Sequence, residues 1–191
     1  MPWLGLAAVA TATATGVARA TESTIVPGVG IGRVRLGMTQ VQVKRALGQW
    51  RYRRREDNRL TVGWGFASWT VVLIGGRVVE VDTTVHAQRT KSGIGPGSAW
   101  LALARAYPHG ICRLKYEPVG PTAELLVPHK GRTQTIFYVL GPRRDPYQGQ
   151  HSAAEWHVGE VHVRTPWTPL PEFTAQGPIE CNADWRTGAP G

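Results

Sequence analysis

The stretch Arg33-Val34-Arg35-Leu36-Gly37-Met38-Thr39-Gln40-Val41-Gln42-Val43-Lys44-Arg45-Ala46-Leu47-Gly48 decides how this chain is read. Arg33 to Leu36 alternates as a short edge strand, and Gly37 supplies a turn. Thr39 stands where the first N–H groups of a helix need a hydroxyl acceptor. Val43, Ala46 and Leu47 recur at helical spacing and make one apolar stripe, with Gln42, Lys44 and Arg45 facing away. Gly48 suits the left-handed stop. Val41 lies off the stripe.

Pro96-Gly97-Ser98-Ala99-Trp100-Leu101-Ala102-Leu103-Ala104-Arg105-Ala106-Tyr107-Pro108 repeats the plan. Setting Gly37 on Gly97 superposes Val41 on Leu101, Val43 on Leu103, Arg45 on Arg105 and Ala46 on Ala106. Ser98 takes the cap position, Leu103, Ala106 and Tyr107 form the stripe, and Pro108 ends the helix. A shared spacing of this kind marks an internal repeat. The chain divides accordingly into a first unit at residues 33–88 and a second at 89–164. The polar, glycine-rich segment His86 to Gly97 is the boundary.

Strand patterns follow each helix. Trp50 to Arg55 alternates, Glu56 to Asn58 turns, and Leu60 to Phe66 continues. Trp69 to Ile74, Gly75-Gly76 and Arg77 to Thr83 predict a hairpin with a two-residue primed turn. Its expected register puts Ile74 with Arg77, Val72 with Val79 and Thr70 with Val81 on a face packed against the helix. The other face, with Trp69, Glu80 and Asp82, is expected to be exposed. Arg113 to Val119, Ala123 to Val127, Thr133 to Leu140 and Glu155 to Arg164 are the strands of the second unit, with a long loop at 141–154. The fold class is α+β: two tandem repeats, each one helix packed on a roughly four-stranded antiparallel meander. Residues 21–32 read as a linker, and 165–191 as a proline-rich tail.

The chain has 191 residues, a net charge of +9 carried mainly by arginine, and two cysteines. The basic excess favours anionic partners. Residues 1–20 read as a signal peptide, with Ala18-Arg19-Ala20 as the small-x-small cleavage site. Trp3 to Val17 falls short of the roughly 20 apolar residues that span a bilayer. The mature chain is therefore expected to be secreted or extracytoplasmic, without a transmembrane segment. There Cys112 and Cys181 form a disulfide that ties the tail back.

The pattern LGMT-x-x-x-V-x-x-x-LG in Leu36 to Gly48 resembles the helix start of the superfamily of the tandem-repeat beta-lactamase inhibitor protein and the small outer-membrane assembly lipoproteins. Thr90 to Ser98 resembles the T-x-x-GIG-x-G-S element of exported bacterial proteins that carry such repeats. The resemblance implies helices packed on one face of a small antiparallel sheet, the opposite face being presented to a protein partner. It implies no enzymatic activity.

Signatures of catalysis are absent from the sequence. There is no G-x-S-x-G elbow and no H-E-x-x-H pair. Gly28 to Gly32 lacks both a preceding strand and a P-loop lysine. In His157-Val158-Gly159-Glu160-Val161-His162, a regular strand sends His157 to one face and Glu160 and His162 to the other. One metal ion could collect them only if Gly159 carries a bulge, and no metal or cofactor is expected.

The expected function is non-enzymatic binding of a macromolecule, foremost a protein, through the sheet face, with Trp64, Trp69, Glu80, Asp82 and Trp156 as contacts. An alternative is electrostatic binding of anionic cell-envelope material by Arg51, Arg53, Arg55 and Arg59. Nucleic acid is not an expected partner. A hydrolase would need a pocket uniting the two units, such as His162 or Glu160 with Asp82.

Overall fold

The computed structural model describes residues 24–64, 68–117, 120–130, 133–141, 155–165, 179–181 and 186–187. The expected signal peptide lies outside these residues, as do most of the 141–154 loop and of the tail.

Helix α1 spans Gln40–Leu47 and helix α2 Trp100–Ala106. Thr39 caps α1 as its spacing predicts. Its hydroxyl accepts from the Gln42 backbone N–H, while Gln42 Oε1 accepts from the Thr39 N–H at 2.8 Å, a reciprocal capping box. Gly48 closes the helix at φ 79°. Helix α2 differs from expectation at its start. Ala99 is its N-cap, and Ser98 instead accepts from the Gly95 N–H within the preceding turn. Trp100 and Ala104 are buried beside Leu103, whereas Val41 of α1 is exposed.

Three short strands, β1 (Ile25–Val26), β2 (Gly30–Ile31) and β3 (Val34–Arg35), form a small antiparallel sheet. This corrects the linker reading for residues 24–32; residues 21–23 lie outside the described residues. Pro27 and the glycines do break helix, but they also make the tight turns that bury Ile25 and Ile31 in the core. His86 to Gly97 is likewise more than a boundary. The Thr90 N–H donates to the Ile94 carbonyl and the Ile94 N–H donates to the Thr90 hydroxyl, and Gln88, Thr90 and Ile94 are buried.

The remaining strands are β4 (Tyr52–Glu56), β5 (Arg59–Trp64), β6 (Trp69–Ile74), β7 (Arg77–Thr83), β8 (Ile111–Glu117), β9 (Gly120–His129), β10 (Thr133–Leu140), β11 (His157–Arg164) and β12 (Ile179–Glu180). They form one antiparallel sheet of nine strands in the order β12-β8-β9-β10-β11-β7-β6-β5-β4. Two runs of four strands thus meet edge to edge where β7 pairs with β11. Both helices, the small sheet and Val71, Leu73, Val81, Phe137, Val139, Val158 and Val161 share a single core on one face. Cys112 on β8 is bonded to Cys181 just after β12.

The two runs meet the segments before their helices through matching hydrogen bonds. Gly37 donates to Val78 O at 2.7 Å, and Val78 donates back to Met38 O at 2.8 Å. Gly97 donates to Val158 O at 2.6 Å, and Val158 donates back to Ser98 O at 2.8 Å.

The hairpin departs from its expected register. Val72 pairs with Glu80 and Leu73 with Val78, leaving Val79 as an extra residue. Beyond this bulge Val81 stays on the core side and Glu80 and Asp82 on the other, so their β6 partners change and the facing of β6 is the reverse of that expected. Trp69, Val71 and Leu73 lie on the helix side, and Thr70, Val72 and Ile74 lie on the other. Two adjacent valines look like regular strand in sequence, so the inserted residue had no local mark.

Candidate functional site

Strand β11 carries a second bulge. Val139 pairs with Val158 and Tyr138 with Glu160, so Gly159 is the extra residue. A Cβ at Gly159 would come within 2.7 Å of the Leu140 side chain, so a larger residue there would have to displace that exposed leucine. The bulge keeps Val158, Val161 and Val163 toward the core and brings His157, Glu160, His162 and Arg164 to the opposite face. That satisfies the condition a shared site required. His157 itself remains exposed.

On the paired strands Asp82 stands opposite His162, and Glu80 opposite Arg164. Glu80 follows the β7 bulge by one residue and Glu160 follows the β11 bulge by one. A local two-fold arrangement therefore places Asp82 and His162 at its centre and the two glutamates on either side. The expectation that Glu80 and Asp82 are exposed partner contacts is corrected. They are central in the wide sheet and are 6% and 8% exposed.

His162 Nδ1 donates to Glu80 Oε1 at 2.6 Å. Asp82 Oδ2 lies 3.9 Å from the same nitrogen, and Glu160 Oε1 lies 3.2 Å from Nε2. The last pair is close enough for charge attraction but poorly aligned for a hydrogen bond. Tyr138 stacks at a tilt on the imidazole, with ring centroids 4.5 Å apart. With its carbonyl turned toward Arg164, Gln134 accepts from Arg164 Nε and Nη2 at 2.7 and 2.8 Å.

Burial disfavours charge on His162, but the Glu160 and Glu80 contacts and the Asp82 charge outweigh it, and the imidazole is pushed up to about 10. Burial dominates at Asp82 and, helped by Glu80 and Glu160, raises that carboxyl to about 7 against the pull of His162 and Thr70. At Glu80 burial works upward, yet His162, Arg164 and Arg59 hold the carboxyl below its ordinary range. A cluster of this kind can hold charge in the sheet interior, bind a cation, or move a proton.

The other expected contacts do not converge. Trp156 is buried in the core, and Trp69 packs partly against it on the helix side. The Trp64 side chain lies outside the described features. Trp69 and Trp156 thus serve packing, which is why aromatic residue type alone does not locate a contact surface. The arginine strand fares differently. β4 is a terminal strand of the sheet, and Tyr52 to Glu56 are all exposed. Arg51 is exposed beside them. Arg53 and Arg55 share one face. Arg59 pairs with Glu56 on the other face and is only partly exposed, so it does not belong with them. Lys44, in the last turn of α1, lies 6.0 Å from the Trp50 ring centre and adds a cation next to the strand.

The cluster had a sequence signal that the helix repeat concealed. Val78-Val79-Glu80-Val81-Asp82 and Val158-Gly159-Glu160-Val161-His162 share the first valine, the glutamate and the valine after it. Their separation differs from that of the helices, because the second unit has the longer final loop.

No protein-family profile matches the chain, and no curated protein matches it. Among solved structures, an extracellular protein containing an SCP domain from Bacillus anthracis is 8% identical, with 86% of this chain and 50% of that one covered at a TM-score of 0.47. This chain thus spans about half of that protein's length. The uncharacterized protein yfeY from Escherichia coli is 16% identical, with 75% of this chain and 99% of that one covered, also at a TM-score of 0.47.

Proposed function

We propose that this chain is an extracytoplasmic, non-enzymatic binding protein whose cationic edge strand holds anionic envelope material. One observation carries the reading: among the described residues β4 is the edge of the sheet with every residue exposed, and Arg51, Arg53 and Arg55 form no ion pair. Guanidinium groups pair with phosphate or carboxylate in fork geometry and stay charged at all relevant pH. Lys44 extends the cationic area beside the strand. Burial of Trp156, Glu80 and Asp82 weighs against the sheet-face protein contact.

The matching hydrogen bonds at Gly37 and Gly97, and the matching bulges at Val79 and Gly159, support an origin in two copies of one helix-and-strands unit. The Cys112–Cys181 bond accords with an oxidising compartment.

The test is cosedimentation with phosphatidylglycerol and with phosphatidylcholine vesicles, alongside retention on immobilised heparin, over rising salt. Binding to anionic material should weaken steeply with salt. Retention by the polyanion alone points to an envelope polymer, and vesicle binding as well points to lipid headgroups. Equal binding to neutral vesicles, or no salt dependence, contradicts the proposal.

A further inference from the structure

The acid–histidine cluster lies on other strands and takes no part in the edge-strand reading. Glu80, Asp82 and His162 each offer one donor atom, and these atoms all lie within 4.8 Å of one another. Two further observations point to a ligand. Asp82 Oδ1 is sealed from solvent with no hydrogen-bond partner. Such an atom is costly to bury unless something compensates it. In addition, Glu160 sits 3.2 Å from the His162 nitrogen that does not face Glu80 and Asp82. Histidines that bind metal through one nitrogen commonly give the other N–H to a carboxylate, which fixes the ring, and a small turn of the Glu160 side chain would align this contact for that role.

We propose that Glu80, Asp82 and His162 Nδ1 bind a divalent first-row transition cation, with Glu160 orienting the imidazole. An imidazole nitrogen among carboxylates suits zinc and its neighbours better than calcium or magnesium, which prefer oxygen. Donors about 2.0–2.2 Å from a tetrahedral ion stand about 3.3–3.6 Å apart. The Glu80–His162 distance of 2.6 Å must therefore open and the Asp82–His162 distance of 3.9 Å must close, both small side-chain rotations. The ion replaces the proton on Nδ1, which leaves to solvent. Glu160 is the most exposed member of the cluster, with 38% of its side chain accessible.

The experiment titrates zinc into the full, disulfide-bonded protein after chelator treatment, with a competing chromophoric chelator as readout. One zinc per chain is expected. Asp82→Asn and His162→Gln should each weaken it by tenfold or more, and Glu160→Gln by roughly ten- to a hundredfold. His157→Gln should leave it unchanged. No binding at millimolar zinc, or binding that survives His162→Gln, overturns the proposal. If the variants fail to fold, nitrogen-15 histidine spectra of the wild type decide: zinc must shift His162 Nδ1 and leave Nε2 protonated, and an unmoved His162 signal rejects the site. Either result leaves the anion-binding reading of β4 untouched.

Discussion

Asp82 and His162 face each other across the only pairing that joins the two four-strand runs among the described residues. Each lies on the strand that follows its own bulge, at Val79 and at Gly159, so the contact depends on both irregularities. A regular β11 would place His157 and His162 on opposite faces.

This pairing predicts how stability responds to pH in the metal-free protein. The folded His162 pKa of about 10 lies above its ordinary 6.5, so its contribution is complete below 6.5 and is lost as pH rises toward 10. Asp82, raised from 3.8 to about 7, gives stability that is complete below 3.8 and lost as pH rises through 7. Urea unfolding in chelator should show wild type losing its advantage over His162→Gln as pH rises from about 6.5 to 10. A constant difference over that range would refute the charged-histidine arrangement.

Trp156 is predicted to be a packing residue and not a surface anchor. It is 2% exposed and its Nε1 has no hydrogen-bond partner. Trp156→Ala should cost about 3–5 kcal/mol, as truncation of a large core ring does. Trp156→Phe should cost less, because it also removes a buried N–H without a partner. Equal losses in denaturant midpoint for the two variants would show that the indole nitrogen matters after all.

Much of the fold was legible because its signals are local. The capping box at Thr39 and Gln42, the Gly48 stop and the Gly75-Gly76 turn all act within a few residues, and periodicity located most strands. What escaped were features decided at a distance. Val79 becomes a bulge only because Glu80 must pair with Val72. Ile25 and Ile31 look like linker residues until Arg89 and the core receive them. The cluster itself needs β7 beside β11, a pairing between residues about 80 apart that no local pattern states.

Gly95 is predicted to be required by space. A Cβ there would run into the Gln88 carbonyl oxygen, which is backbone and cannot swing away. Gly93, by contrast, has open space and φ 78°. Gly93→Ala should cost about 1 kcal/mol from left-handed strain. Gly95→Ala should cost more, as thermal unfolding of the two variants will show. The opposite ranking would contradict the described turn.

The disulfide joins residues separated by 69 positions in sequence. Closing so long a loop is worth roughly 4 kcal/mol in the chain-entropy model. Replacing both cysteines by alanine should lower the denaturant midpoint accordingly, with the slope showing whether the denatured state also expands. An unchanged midpoint would mean that the tail holds β12 on β8 without the bond.

Arg51, Arg53 and Arg55 are the proposed anion contacts, and the most direct measurement is the affinity of the triple Arg→Gln variant for phosphatidylglycerol vesicles and immobilised heparin at low salt. At about 1 kcal/mol for each basic group near an anionic surface, binding should fall on the order of 100-fold, with a shallower salt dependence and unchanged thermal stability. A variant that binds as tightly as wild type would contradict the account.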